Sequence, residues 1–512
     1  MASSCNISAI HRALRASRLF VFAIALAAGW SSTLPFAVAQ ERPAFAPGMI
    51  DHMQKMRRFK DHDKGSQPTP VVIPRFETSR DPNGEIATFQ PKGTTLTFNN
   101  AFFKDLGTNG RTCFTCHQGD SGWSVSAANI TKRFKDSRGT DPIFRLVDGA
   151  TCPNNDVSTL AARQEAYKLL MSKAVLRIGL PIPAGAEFEV TAVNDPHGCN
   201  TNPETGLTSP TSGIVSAYRR PLPSTNLGFL SAVMWDGREP SLASQAADAT
   251  LGHAQAAAAP TAAQIAEIVA FESGIFTAQI FDDKAKQLSA NNSTGGAVAL
   301  SSQLAKFFIG VNDPLGQNPT GLQFTPQIFD LFRPWLGLKG SSEVAEQRRS
   351  IARGEELFNN TPINVTNVSG LNDDLNVTSI PAFCGTCHDT PKVGNHSVSA
   401  PLNIGVADAG SNSPPALDIS GLPVFTLTCT HGPLAGRTYM VTDPGRAMIS
   451  GKCKDIGRFK GPILRGLASR APYFHNGSAT TLMDVMNFYD QRFSIGLTAQ
   501  EKADMVNFLN SL

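Results

Sequence analysis

Apolar residues recur at helical spacing in four stretches of the chain. Residues 161–174, 263–271 and 342–357 place their aliphatic and aromatic side chains at intervals of three and four, the mark of a helix with one buried face. Thr498, with Glu501 three positions later, forms a capping box that opens a last helix through Met505, Val506 and Leu509. Strand-like alternation is short and rare, with 188–193 the clearest case. The Ala/Pro-rich stretch 254–263 only leads into a helix. The pattern therefore predicts a mainly α protein. At the amino end Arg12, Arg15 and Arg18 precede an apolar run, 19–28, and Ala37, Val38 and Ala39 supply a small-residue cleavage pattern. Residues 1–39 read as a secretory signal peptide whose apolar run is too short to span a membrane.

Composition adds a compact, loop-rich character: 43 Gly, 34 Pro and only 17% charged residues in a chain of 512, long enough for two to three domains. The formal charge is +3, and the leader holds three arginines and no acid. Nothing in the remainder points to nucleic acid or an anionic membrane surface, and no membrane span is expected once the leader is removed.

The chemistry lies in the cysteines. Cys113, Cys116 and His117 form a Cys-x-x-Cys-His motif, and so do Cys384, Cys387 and His388. In haem c attachment the two thiols add across the vinyl groups and the adjacent imidazole ligates iron. A redox dithiol or half of a zinc site is the plainer reading of one Cys-x-x-Cys. Zinc wants four ligands in matched halves, whereas these motifs lie in opposite halves of the chain, each with its own His. Two covalent haems c are expected, in an exported, periplasmic protein. Of the other cysteines Cys5 leaves with the leader. Cys152 with Cys199 and Cys429 with Cys453 suggest one disulfide in each half, the alternative being four buried thiols. The expected layout is an extension at 40–94, a first haem c domain at 95–345 with an irregular insertion at about 131–218, and a second at 346–512. The two domains are expected to pack together.

Further blocks carry a resemblance. Val233 to Arg238 (Val-Met-Trp-Asp-Gly-Arg) with Ser241 to Gln245, and Gly457 to Arg465 running on to Ala471 to Gly477, resemble in order and content the bacterial dihaem cytochrome c peroxidases and their relative MauG. The stretches 131–218 and about 280–345 match nothing in that pattern.

The resemblance implies a peroxidase-type oxidoreductase. Hydrogen peroxide would be split at an open first haem on His117, with electrons from a small cytochrome c or cupredoxin relayed through the second haem. Trp235 matches the Trp that bridges the haems. The classical Met ligand of the second iron would fall at Tyr489, where MauG has a Tyr; a phenolate there stabilises ferric iron, and Met486 lies one helical turn away. The resting His ligand of classical peroxidases is missing, because 118–196 contains no His; the first iron is then either permanently open, as in MauG, or capped from afar by His197 or His253. His396 and His431 read as ordinary polar histidines. The family's acid–base Glu falls at Gln255, which cannot titrate. His253 is the expected replacement, with Gln245 and Gln255 orienting the peroxide. Two calcium-ligand positions are matched by Arg220 and Arg470, which puts an interdomain calcium in doubt and suggests propionate partners instead. The alternatives are a MauG-like oxidase of an organic or protein substrate and a non-catalytic electron carrier or redox sensor.

Overall fold

The computed structural model describes residues 69–200 and 213–512. The expected leader at 1–39 and most of the 40–94 extension lie outside the described residues. The mainly α expectation is corrected: the described residues are 31% helical and 17% strand, with five sheets.

The strands escaped the pattern for a physical reason. A four-stranded antiparallel sheet runs Phe76–Asp81, Gly84–Phe89, Phe276–Asp282 and Lys286–Gln287 in that order. Phe276–Asp282 is buried over most of its length, Thr277 and Gln279 included, and its apolar/polar alternation runs only from Phe276 to Ile280, directly after a helical stretch. Phe188–Asn194, the one strand the sequence suggested, pairs with Val424–Cys429, which in turn pairs with Thr438–Val441. Backbone hydrogen bonds thus join the 131–218 stretch to the second half of the chain.

Three helices lie where periodicity put them, at Ala262–Gly274, Glu343–Asn360 and Ala499–Asn510. Thr498 Oγ1 accepts from the Glu501 N–H while Glu501 Oε2 accepts from the Thr498 N–H at 2.8 Å, so the capping box is complete. The fourth pattern is two short helices, Leu160–Ala166 and Lys168–Lys173, broken at Tyr167, whose hydroxyl donates to the Phe144 carbonyl at 3.1 Å. Glu343–Asn360 packs lengthwise on Ala499–Asn510. The helices approach so closely that a Cβ on Gly354 would stand 2.1 Å from the Asp504 carbonyl oxygen.

Two aromatic clusters floor the future sites. Phe102, Phe271 and Trp123 pack at ring separations of 4.9 to 6.2 Å, with His117 6.3 Å from Phe102. Phe329, Phe358 and Phe508 pack likewise, and Phe358 lies 6.0 Å from His388. Disulfides link Cys152 to Cys199 and Cys429 to Cys453, the pairing suggested by the sequence.

Candidate active site

Both Cys-x-x-Cys-His motifs fold as a single helical turn pinned in the same way. Thr115 Oγ1 accepts from the Thr112 N–H at 3.0 Å, and Thr386 Oγ1 accepts from the Phe383 N–H at 3.0 Å. The turn brings His117 N–H to the Cys113 carbonyl and His388 N–H to the Cys384 carbonyl. Each imidazole then donates from Nδ1 to a carbonyl six residues on: His117 to Trp123 at 3.0 Å, His388 to Gly394 at 2.6 Å. That bond fixes the tautomer and leaves Nε2 as the only free ligand atom.

The four thiols are free, and burial raises the pKa of every one, with Cys384 and Cys387 pushed up to about 12. A redox dithiol needs the opposite shift. No cluster of three or more His, Cys, Asp or Glu among the described residues has the makings of a metal site. Each motif opens instead into its own cavity, and the two cavities share a wall formed by Arg220, Pro221, Leu222, Pro223 and Trp235. Trp235 is fixed in that wall by donation from Nε1 to the Arg220 carbonyl at 2.8 Å.

The wall ends in a turn that the chain uses twice. Residues 233–239 and 473–479 each close with an antiparallel bridge, Val233 to Glu239 and Tyr473 to Ala479. Met234 and Phe474 take left-handed φ of 67° and 64°, as do Gly237 and Gly477 at 67° and 68°. A capped helix follows in both cases, Leu242–Gly252 from Ser241 and Leu482–Phe493 from Thr481. At a constant offset Trp235 corresponds to His475, Gln245 to Val485, Ala249 to Tyr489 and His253 to Phe493, and all eight side chains line one cavity or the other. Sequence reasoning missed this repeat because few side chains coincide; its signals were the shared Gly237/Gly477 and Leu242/Leu482, the Asp236/Asn476 pair and the capping hydroxyls Ser241/Thr481.

The consequences differ between the cavities. In the second, Tyr489 faces the motif across the cavity, with Met486 one turn before it. Burial raises the phenol pKa, and the hydroxyl makes no hydrogen bond among the described residues. In the first, the equivalent place is Ala249, which has no ligating atom. Gln245 and His253 flank it one turn to either side on the same helix face. Gln255 is not brought in. The helix ends at Gly252, and Gln255, at φ 54°, lies exposed with its Oε1 accepting from Asn109 Nδ2 at 3.3 Å. His197 and His431 are also elsewhere, bonded to the Gly421 carbonyl and to Thr430. His396 lines the second cavity, with Nδ1 3.3 Å from Asp389.

Buried cations test whether haem fits. Arg220, Lys460 and Arg470 all line the second cavity, Arg220 also the first, and none is more than 8% exposed. No carboxylate pairs with them among the described residues, and burial lowers their pKa to about 9, 8 and 10. Arg220 Nε and both ring nitrogens of His475 have no hydrogen-bond partner among the described residues. Unpaired buried cations are costly, so the site is built for anions. Haem propionates beside thioether-forming cysteines fit this donor set. Arg219, by contrast, is neutralised: it donates to Asp443 at 2.6 and 2.9 Å and to Asp236, which also accepts from Arg238.

Comparison with known proteins agrees with this site. The family model described as RoxA-like, cytochrome c-like, matches residues 458–495. Two relatives named cytochrome-c peroxidase are similar over the same order of length: IdrP1 of Pseudomonas sp. (strain SCT), 37% identical over 81 residues, and IdrP2 of Denitromonas iodatirespirans, 41% over 78. Each match covers 14% of this chain and 21% of the relative, so the chain spans about a fifth of the length of these proteins. A solved structure titled as a MauG-like protein associated with microbial copper homeostasis aligns over 81% of this chain and 86% of its own, with a TM-score of 0.35 and 16% identity. Haem c is the cofactor that the motifs and buried cations accommodate, and over about a seventh of its length the chain is similar to bacterial cytochrome-c peroxidases, with a RoxA-like, cytochrome c-like segment at 458–495.

Proposed function

We propose that the protein is a periplasmic dihaem c-type oxidoreductase that reduces hydrogen peroxide at the first cavity. The reading rests above all on Ala249, which leaves the first site without the ligating side chain that Tyr489 supplies in the second. When bound, the haem on His117 supplies the iron that takes up peroxide, and the haem on His388 supplies electron storage. The chain does the rest. Cys113, Cys116, Cys384 and Cys387 hold the two groups, and Arg220, Lys460 and Arg470 neutralise their propionates. His253 Nε2 moves the proton from one peroxide oxygen to the other, and Gln245 orients the molecule by hydrogen bonding. Trp235, in the shared wall, gives electrons an aromatic path where a gap would slow tunnelling. The overall change is one hydrogen peroxide, two protons and two electrons to two waters, the electrons coming from a small cytochrome c or cupredoxin. Among the described residues no helix is long and apolar enough to cross a membrane.

A second reading has one observation in its favour. His253 engages Asp148 through Nδ1, so its Nε2 is free to ligate the first iron, as a pure electron carrier requires. The resting ferric spectrum decides: a high-spin component is expected, and wholly low-spin iron would defeat the peroxidase reading. Acid–acetone extraction should leave both haems on the polypeptide. Release of either into the organic phase would refute covalent attachment at that motif.

Tyr489→Phe should alter the low-spin ferric bands of the second haem and raise its potential, because a hard anionic donor is lost. An unchanged spectrum excludes ligation by Tyr489 and makes Met486 the next candidate.

A further inference from the structure

The 131–218 insertion ends up beside the first cavity. Its residue Asp148 is 3% exposed and stands between two partners: Oδ2 is 2.5 Å from His253 Nδ1 and Oδ1 is 2.6 Å from Arg111 Nη1. Arg111 is itself 3% exposed at the side chain and spends its other N–H groups on the carbonyls of Pro142 at 2.8 Å, Ile143 at 2.7 Å and His253 at 3.2 Å. The backbone of this corner is equally constrained. The Asp148 carbonyl accepts from the Arg177 N–H at 2.7 Å, and Gly149 sits where a Cβ would stand 2.7 Å from the Ile143 carbonyl oxygen. Asp148 is therefore held in place before any ligand arrives. Burial alone would raise its pKa, but the Arg111 guanidinium and His253 hold the carboxyl below its ordinary value.

We propose that Asp148 is a positioning residue for His253. The insertion carries a carboxylate to Nδ1, which fixes the imidazole as the tautomer with its proton on Nδ1 and turns the basic Nε2 into the first cavity, towards the space over Ala249. This inference rests on the reading of His253 as the proton carrier. An ionised carboxylate at Nδ1 selects the tautomer and stabilises the cation formed when Nε2 takes a proton, without accepting that proton itself. Arg111 holds the carboxylate, and its bond to the His253 carbonyl fixes the helix end that carries the ring.

Cyanide gives a readout separate from turnover. Hydrogen cyanide must lose its proton to bind ferric iron as the anion, and His253 Nε2 would accept that proton. In the diferric holoprotein Asp148→Asn should slow both cyanide association and the peroxide reaction by roughly ten- to a hundredfold, with the resting spectrum unchanged. Asp148→Ala should do the same, and added formate, which fits the space vacated by the side chain, should restore part of both rates; it also serves if the Asn variant fails to accumulate. In a His253→Ala background Asp148→Asn should change neither rate further. Wild-type rates in Asp148→Asn or in Asp148→Ala, or an undiminished effect of Asp148→Asn without His253, would overturn the proposal. If His253→Ala slows cyanide and peroxide while the Asp148 variants do not, only the positioning role fails. If His253→Ala itself slows neither, the reading of His253 fails with it. A shift from low-spin to high-spin iron on replacing Asp148 would assign His253 as an iron ligand and overturn both.

Discussion

Replacing His253 with Ala is expected to slow the reaction with peroxide by about 10²-fold or more while the resting high-spin spectrum stays as it was. Ala removes the imidazole that flanks Ala249 in the first cavity, and Gln245, a neutral amide, cannot take over proton transfer. Stopped-flow measurement of the holoprotein against peroxide concentration checks the rate. If the variant instead converts low-spin iron to high-spin, His253 was a ligand and the carrier reading stands. If neither rate nor spectrum moves, His253 has no part in the chemistry.

Arg219→Leu should destabilise the folded protein by about 3–5 kcal/mol, because it leaves Asp443 and Asp236 buried at 1% and 0% exposure without their shared counter-ion. Asp236 keeps Arg238, whereas Asp443 keeps only the Gly445 N–H and a His475 ring 3.8 Å away. Denaturant unfolding of the holoprotein reads the loss. Lys132→Ala, which breaks an exposed pair with Asp136, is the comparison and should cost less than about 1 kcal/mol. Despite burial, which acts to raise it, the Arg219 guanidinium holds the pKa of both carboxyls below the ordinary aspartate value. Folded, they bind fewer protons than unfolded, so their contribution is complete above that value and disappears as pH falls through the depressed one. The steep acid limb of the stability profile should be shallower in Arg219→Leu.

What the sequence disclosed was local chemistry. The two Cys-x-x-Cys-His turns, the Thr498 capping box and the cysteine pairing each depend on residues a few positions apart or on simple counting. The sheets depend on partners brought from far along the chain, and in Phe276–Asp282 the alternation spans only Phe276 to Ile280, too short beside the preceding helix to stand out. Gln255 shows where counting fails. The spacing from Gln245 assumes that the helix continues, but the chain leaves it at Gly252 and takes a left-handed turn, and a side chain expected over the iron faces water. The equivalence of Ala249 and Tyr489 was hidden for another reason: the two turns share backbone conformation and little else, so only coordinates align them.

The strip from Arg220 to Pro223, with Trp235, belongs to both cavities at once. If both proposed haems are bound on either side of this shared strip, they cannot change charge independently. An electron taken up by one raises the cost of adding the next to the other, in a medium too poor in water to screen it. Their potentials are then properties of the pair, in the way that two neighbouring acids share their titration steps. A one-electron reduced form should persist over a range of applied potential, and that half-charged state is the one an incoming oxidant would meet.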